Sequence, residues 1–167
     1  MKIEQAKIED SADIAKLHVS SWLAAYEGIV PAHILEKQSV ERQEEFWKKV
    51  LRENPKNVLV AVSNTAEIIG FITFGSNQNN NRVGEVHAIY ARPDYFQSGV
   101  GRLLWEAARQ RLIKSGFRTI VALVITSNYS ARRFYEKVGF NLVPNSASTF
   151  TWEGEELDDV CYEYTVS

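Results

Sequence analysis

The segment from Val83 to Gly116 restricts the fold more than any other part of the chain. Val83 to Ala91 is rich in β-forming residues and ends just before Pro93. Gly99-Val100-Gly101 then opens the longest clean helical pattern, with Val100, Leu103, Leu104, Ala107, Ala108 and Leu112 at helical spacing before Gly116 stops it. A helix that starts on glycines presents free N–H groups to anything approaching its first turn, and the positive end of its dipole favours an anion there. That describes a phosphate or pyrophosphate site. The same glycines also suit a tight turn with close packing, and the residue types alone leave both readings open.

The remaining chain supplies strands and helices in an order that defines the architecture. Ile3 to Ala6 reads as a short strand, and Asp10-Ser11 offers cap chemistry for a helix through Ile14, Leu17, His18, Ser21, Trp22 and Ala25. Gly28 and Pro31 interrupt the pattern. A second helix follows with Ser39 as cap and Phe46, Trp47 and Val50 as its apolar stripe. Val58 to Val62 and Ile68 to Phe74, joined by a short polar turn, read as an antiparallel hairpin, and Asn77 to Arg82 as a polar connection. Ile120 to Ile125 is apolar enough for a buried strand. Ala131, Phe134, Tyr135 and Val138 stripe a short helix that Gly139 ends, and strands are expected around Phe150 to Trp152 and Val160 to Thr165. The expected fold class is α/β: a single domain with a mixed, largely antiparallel central sheet of about six to seven strands and helices on both faces.

Composition narrows the function. At 167 residues the chain has the length of one domain, and its 45% apolar and 24% charged content is that of an ordinary globular protein. A formal charge of -2 and the lack of a Lys/Arg patch argue against nucleic acid as a partner. No apolar run reaches membrane-spanning length and no export signal is visible, so a cytoplasmic protein is expected. The lone Cys161 fits a reducing compartment and reads as a small buried hydrophobe. Paired metal-ligand spacing is absent, so no metal is expected. Glu153, Glu155, Glu156, Asp158 and Asp159 cluster around Gly154, which reads as a solvated hairpin turn or, alternatively, as attraction for a cationic substrate.

A dinucleotide fingerprint fits poorly, since its third glycine falls on Leu104, and no Gly-Lys-Ser/Thr follows for a P-loop. Two motifs point elsewhere. Ile89-Tyr90-Ala91-Arg92-Pro93-Asp94-Tyr95-Phe96-Gln97-Ser98-Gly99-Val100-Gly101-Arg102-Leu103-Leu104 and, about thirty residues later, Asn128-Tyr129-Ser130-Ala131-Arg132-Arg133-Phe134-Tyr135-Glu136-Lys137-Val138-Gly139-Phe140 resemble the acetyl-CoA-binding core of the GNAT superfamily of N-acetyltransferases. One departure is Phe96, where the family usually carries Gln or Arg. The resemblance implies that the N–H groups of Gln97, Ser98, Gly99, Val100, Gly101 and Arg102 cradle the pyrophosphate of acetyl-CoA. It implies too that the backbone of Ile89, Tyr90 and Ala91 pairs with the pantetheine arm like another strand. Asn128 would bond the same arm or cap the following helix. Tyr135 takes the general-acid position that protonates the leaving thiolate, although its spacing also suits the core.

The chemistry asks for a base as well. An amine with a pKa near 10 is protonated at neutral pH, and removing that proton costs roughly 4 kcal/mol. Strict alternation along Val83 to Tyr90 puts Val83, Glu85, His87 and Ile89 on one face and Gly84, Val86, Ala88 and Tyr90 on the other. A carboxylate in such a strand needs a reason, so Glu85 is the candidate base, with His87 as a relay or a structural residue. A backbone N–H around Ala88 to Tyr90 is the expected donor to the thioester oxygen.

The segment His18 to Pro31 is similar to one in a bacterial subgroup of the family that includes polyamine acetyltransferases. Trp22, Tyr26 and Glu27 are candidate substrate-binding residues for a small-molecule amine, with core packing as the alternative for the two aromatics. Residues 1–57 are assigned to the acceptor side, 58–140 to the acetyl-CoA core and 141–167 to the C-terminal strands. Protein lysine or N-terminal amine acetylation, and a non-catalytic coenzyme A sensor, are the alternative functions. A homodimer is the habit of similar proteins.

Overall fold

The computed structural model describes all 167 residues. Strands β1 (Lys2–Gln5), β2 (Val58–Val62), β3 (Ile68–Ser76), β4 (Gly84–Ala91), β5 (Thr119–Ile125), β6 (Asn141–Leu142), β7 (Ser148–Trp152) and β8 (Glu155–Thr165) form one eight-stranded sheet. Its order is β1-β2-β3-β4-β5-β8-β6, with β7 on β8. The count exceeds the expected six to seven because β6 is only two residues long and carries no pattern of its own. Every pairing is antiparallel except β4 with β5. Between those two the chain must cross over, and it does so through helix α4 (Val100–Lys114).

Helices cover the sheet unevenly. On one face α4 and α5 (Tyr129–Lys137) pack Leu104, Trp105, Ala108, Leu112 and Tyr135 against Leu59, Ile72, Val86, Ile120, Ala122 and Tyr162. On the other, α1 (Ser11–Tyr26) and α3 (Val40–Glu53) enclose Ile14, Leu17, Trp47 and Leu51 with Val58, Val60 and Phe71. Ser39 caps α3 as expected, its hydroxyl accepting the Arg42 N–H at 3.2 Å. Phe46 lies outside the core at 52% exposure, only edging Trp47 at the helix flank, and Leu103 is likewise exposed. Cys161 is half-buried rather than buried.

A third, small core closes one end of the sheet. The chain after α1 forms a one-turn helix, α2 (Ala32–Leu35), which the sequence pattern did not reveal. Val30, Ile34 and Leu35 pack with Trp22 against Leu157 of β8. The β7–β8 turn takes Glu153 at φ 50 and Gly154 at φ 82, the left-handed pair that a tight hairpin requires. Its acidic side chains are not merely solvated: Lys37 pairs with Glu153 at 3.1 Å and His33 lies 3.5 Å from Glu155.

Candidate active site

The turn that feeds α4 is built to leave donors unused. Arg92 forks onto Asp94 at 2.7 and 2.9 Å and lies over the Tyr95 ring, which stiffens the turn. Gln97 at φ 62 and Gly99 at φ 91 then bend the backbone into the helix. The Ser98 N–H is consumed by the Tyr95 carbonyl at 3.2 Å, whereas those of Gln97, Gly99, Val100, Gly101 and Arg102 donate to no group in the chain. Ser98 therefore drops out of the expected backbone cradle, and the others converge on the positive end of α4. Around Gly99 nothing stands within 4 Å of a would-be Cβ. At Gly101 a Cβ would meet the Phe134 ring at 3.0 Å, so this glycine lets α5 approach α4. Free amides, open space and a helix dipole are what a pyrophosphate needs.

Beside this turn the sheet splits. β4 and β5 pair only at Gly84 with Ile120 and Glu85 with Val121, after which the strands diverge. Ile89, Tyr90 and Ala91 thus have a partner on β3 and none on the β5 side, leaving one strand edge open beside the α4 terminus. Such an edge can accept an extended amide-bearing ligand.

A β-bulge rewrites the expected faces of β4. Thr73 pairs with Ala88 but Phe74 pairs with Val86, so His87 is an extra residue and the alternation changes phase there. Ile89 consequently shares the α4 face with Val86, while Ala88 and Tyr90 join the α1 face, contrary to strict period two. Glu85 and His87 remain neighbours, with His87 Nδ1 3.2 Å from Glu85 Oε2. The Glu85 side chain is 13% exposed, and the Asn77 amide donates to its other oxygen at 2.7 Å. Asn77 was missed as anything but loop. It sits across the β3–β4 hairpin, and its own oxygen accepts the N–H groups of Asn79 and Asn80.

Tyr135 reaches the split from α5. Its residue is 7% exposed and its hydroxyl bonds to no group in the chain. Burial, with Tyr26 and Glu85 nearby, raises the phenol well above the ordinary tyrosine range, so it stays protonated. Asn128 does cap α5, its Oδ1 accepting the Ala131 N–H at 3.2 Å, and its Nδ2 is left without a bond in the chain. Of the acceptor-side residues, Trp22 is core: Tyr26 and Trp152 pack on it with centroids 5.0 and 4.9 Å away. Tyr26 stands at the split, whereas Glu27 is exposed and forms no ion pair. Trp152 and the Tyr90 side chain also belong to this wall, and neither carried a signal in sequence because their neighbours come from distant segments. No group of His, Cys, Asp and Glu is arranged to hold a metal ion.

Comparison with known proteins agrees with this geometry. Residues 18–140 match the model of the Acetyltransferase (GNAT) family. An uncharacterized N-acetyltransferase, YuaI of Bacillus subtilis (strain 168), is 33% identical over 130 residues, covering 77% of this chain and 73% of that protein. Among solved structures, the PaiA N-acetyltransferase from Thermoplasma acidophilum in complex with coenzyme A superposes with a TM-score of 0.80 at 22% identity, over 98% of each chain. YncA from Salmonella typhimurium with its cofactor acetyl-CoA gives 0.74 at 19% identity, covering 100% of this chain and 94% of its own. The chain belongs to the GNAT family of acetyltransferases.

Proposed function

We propose that this acetyl-CoA-dependent N-acetyltransferase passes the acetyl group directly to a primary amine of a small molecule, within a ternary complex. The observation that carries this reading is the split between β4 and β5: unpaired amides line its α4 side, and Glu85, Tyr26 and Tyr135 stand at its other margin. Bound acetyl-CoA supplies an activated acyl carbon. The N–H groups of Gln97, Gly99, Val100, Gly101 and Arg102 hold its pyrophosphate, the open edge of Ile89 to Ala91 holds the pantetheine arm, and Asn128 Nδ2 bonds that arm. Glu85, its carboxylate oriented by Asn77 and His87, takes the proton from the attacking nitrogen. A backbone N–H between Ala88 and Tyr90 meets the charge developing on the carbonyl oxygen. Tyr135 gives its proton to the departing sulfur as the carbon–sulfur bond breaks. The bond to nitrogen forms on the side of the sheet covered by α1, so residues 1–57 shape the acceptor site and 58–140 the donor site. A cytoplasmic setting suits the free Cys161, and a homodimer is the expected assembly.

The test is release of free thiol from acetyl-CoA on addition of polyamines, amino acids, aminoglycosides or peptides to purified protein. Release with a small amine is expected and names the acceptor class. Release with peptides alone, or with none of the panel, rejects the reading.

A further inference from the structure

Nothing at its tip fixes Tyr135: the hydroxyl bonds to no group in the chain, so its place depends on how the ring and the helix behind it are seated. Helix α5 has nine residues, too few to hold itself in water, and its seat must come from its neighbours. Phe134 and Phe140 edge the Tyr135 ring with centroids 5.4 and 5.1 Å away, and the ring of Tyr162, from β8, stacks on it at 6.3 Å and 28°. Apolar packing keeps the ring in its layer but is non-directional, and a short helix on such a layer can still slide or turn. Hydrogen bonds remove that freedom, and here they converge on one atom. Tyr162 is wholly buried, and its hydroxyl accepts from Arg132 Nε at 3.0 Å while donating to Glu136 Oε1 at 3.0 Å. Arg132 and Glu136 stand one turn apart on α5 with Tyr135 between them in sequence, so a single phenol of β8 grips the helix on both sides of it. Each bond has a charged partner, which makes it stronger than a neutral one. Arg132 also closes the turn that leads into α5. Its Nη1 donates to the Thr126 carbonyl at 2.7 Å, and the Thr126 N–H donates to the Asp158 carbonyl of β8 at 2.9 Å. The proposed chemistry uses none of these groups.

Resting on the acid role proposed for Tyr135, we infer that Tyr162 is a positioning residue: its hydroxyl, shared between Arg132 and Glu136, clamps α5 to β8 and so fixes where the Tyr135 hydroxyl meets the departing sulfur. Without that oxygen, Arg132 and Glu136 are spaced to pair with each other along the helix, and α5 keeps its own charges satisfied while losing its tie to the sheet. The clamp belongs to the C-terminal strands, outside both segments that form the donor site.

Tyr162→Phe keeps the stacked ring and removes only the oxygen. In the thiol-release assay, with an amine that the wild-type protein acetylates, kcat should fall about tenfold, because a small misplacement of a reacting group costs that much or more. The KM values for acetyl-CoA and for the amine should stay constant. Made in a Tyr135→Phe background, the same substitution should cost nothing further. A general loss of packing would slow both backgrounds equally, and that result, or an unchanged kcat in Tyr162→Phe, overturns the inference. Glu136 is exposed, so its variants put folding at little risk. Glu136→Gln keeps an acceptor for the phenol proton and should retain most of the rate, whereas Glu136→Ala should follow Tyr162→Phe; equal rates in these two also overturn the clamp. Failure of the underlying reading looks different. If Tyr135→Phe turns over at the wild-type rate, or no amine is acetylated, the acid role falls and the inference falls with it; if Tyr135→Phe is slow and Tyr162→Phe is not, the inference alone falls.

Discussion

Lowering the pH should remove stability from the layer between α1 and α3 through His18. The Trp47 indole N–H donates to His18 Nδ1 at 3.1 Å, and the rings of Trp47, Phe71 and Tyr90 surround the imidazole at 5.7, 5.6 and 5.5 Å. Burial pushes the imidazole down from 6.5 to about 4, with Gln43 partly opposing. Protonation would put a charge among aromatic rings and leave two donors facing each other. The folded value lies below the unfolded one, so the contribution is complete above 6.5 and is lost as the pH falls from 6.5 to about 4, with nothing further to lose below that. At about 1.36 kcal/mol per pH unit, the window between those two values amounts to about 3 kcal/mol, and about 2 kcal/mol of it is gone by about pH 5. Urea unfolding across this range measures it. His18→Gln keeps an acceptor for the Trp47 N–H but has no proton to gain. It should start less stable at neutral pH and fall less steeply through the window. Parallel loss in the two proteins would refute the assignment of the acid sensitivity to His18.

Three further outcomes follow from the site. Tyr135→Phe should lower kcat by about 10²-fold or more, with acetyl-CoA affinity nearly intact, in single-turnover and equilibrium-binding measurements. Unchanged turnover would remove the hydroxyl from the chemistry. Glu85→Gln should lower kcat by a similar factor, about 10²-fold, and its rate should recover toward alkaline pH as the free-amine fraction of the acceptor grows; a pH profile of wild-type shape would exclude the carboxylate as base. Gly99→Val places a β-branched side chain at φ 91, a strain of about 1–2 kcal/mol, and crowds the free amides. Calorimetric affinity for coenzyme A should drop, and full retention would disprove the pyrophosphate site.

The regular elements could be read from sequence because each carries its own period. β2 occupies Val58–Val62, the bounds its apolar run suggests, and α4 begins one residue past Gly99. Elements without a period escaped: α2 is a single turn and β6 two residues. The bulge at His87 was invisible for a different reason. Alternation continues unbroken in the letters, and only the Thr73–Phe74 register on β3 reveals the extra residue. The same limit hid the tertiary parts of the site. Asn77 bonding Glu85, Tyr90 sharing a small core with Tyr26, and Trp152 on Trp22 all join segments that the fold alone brings together. Trp22 and Tyr26 share one helical face, yet Trp152 and Leu157 make the first of them part of the core.

The split between β4 and β5 leaves this protein with a sheet edge inside its own fold. Exposed edges are sites of unwanted pairing between chains, and proteins usually cover or charge them. Here the proposed donor, lying along Ile89 to Ala91, would serve as the missing strand. Its supply would then govern how well the protein survives as well as how fast it works: at a hundred times its dissociation constant a ligand adds about 2.7 kcal/mol to the folded state. A cell short of acetyl-CoA and free coenzyme A would hold this protein in its most fragile form, with amide exchange fastest along the open side of β4.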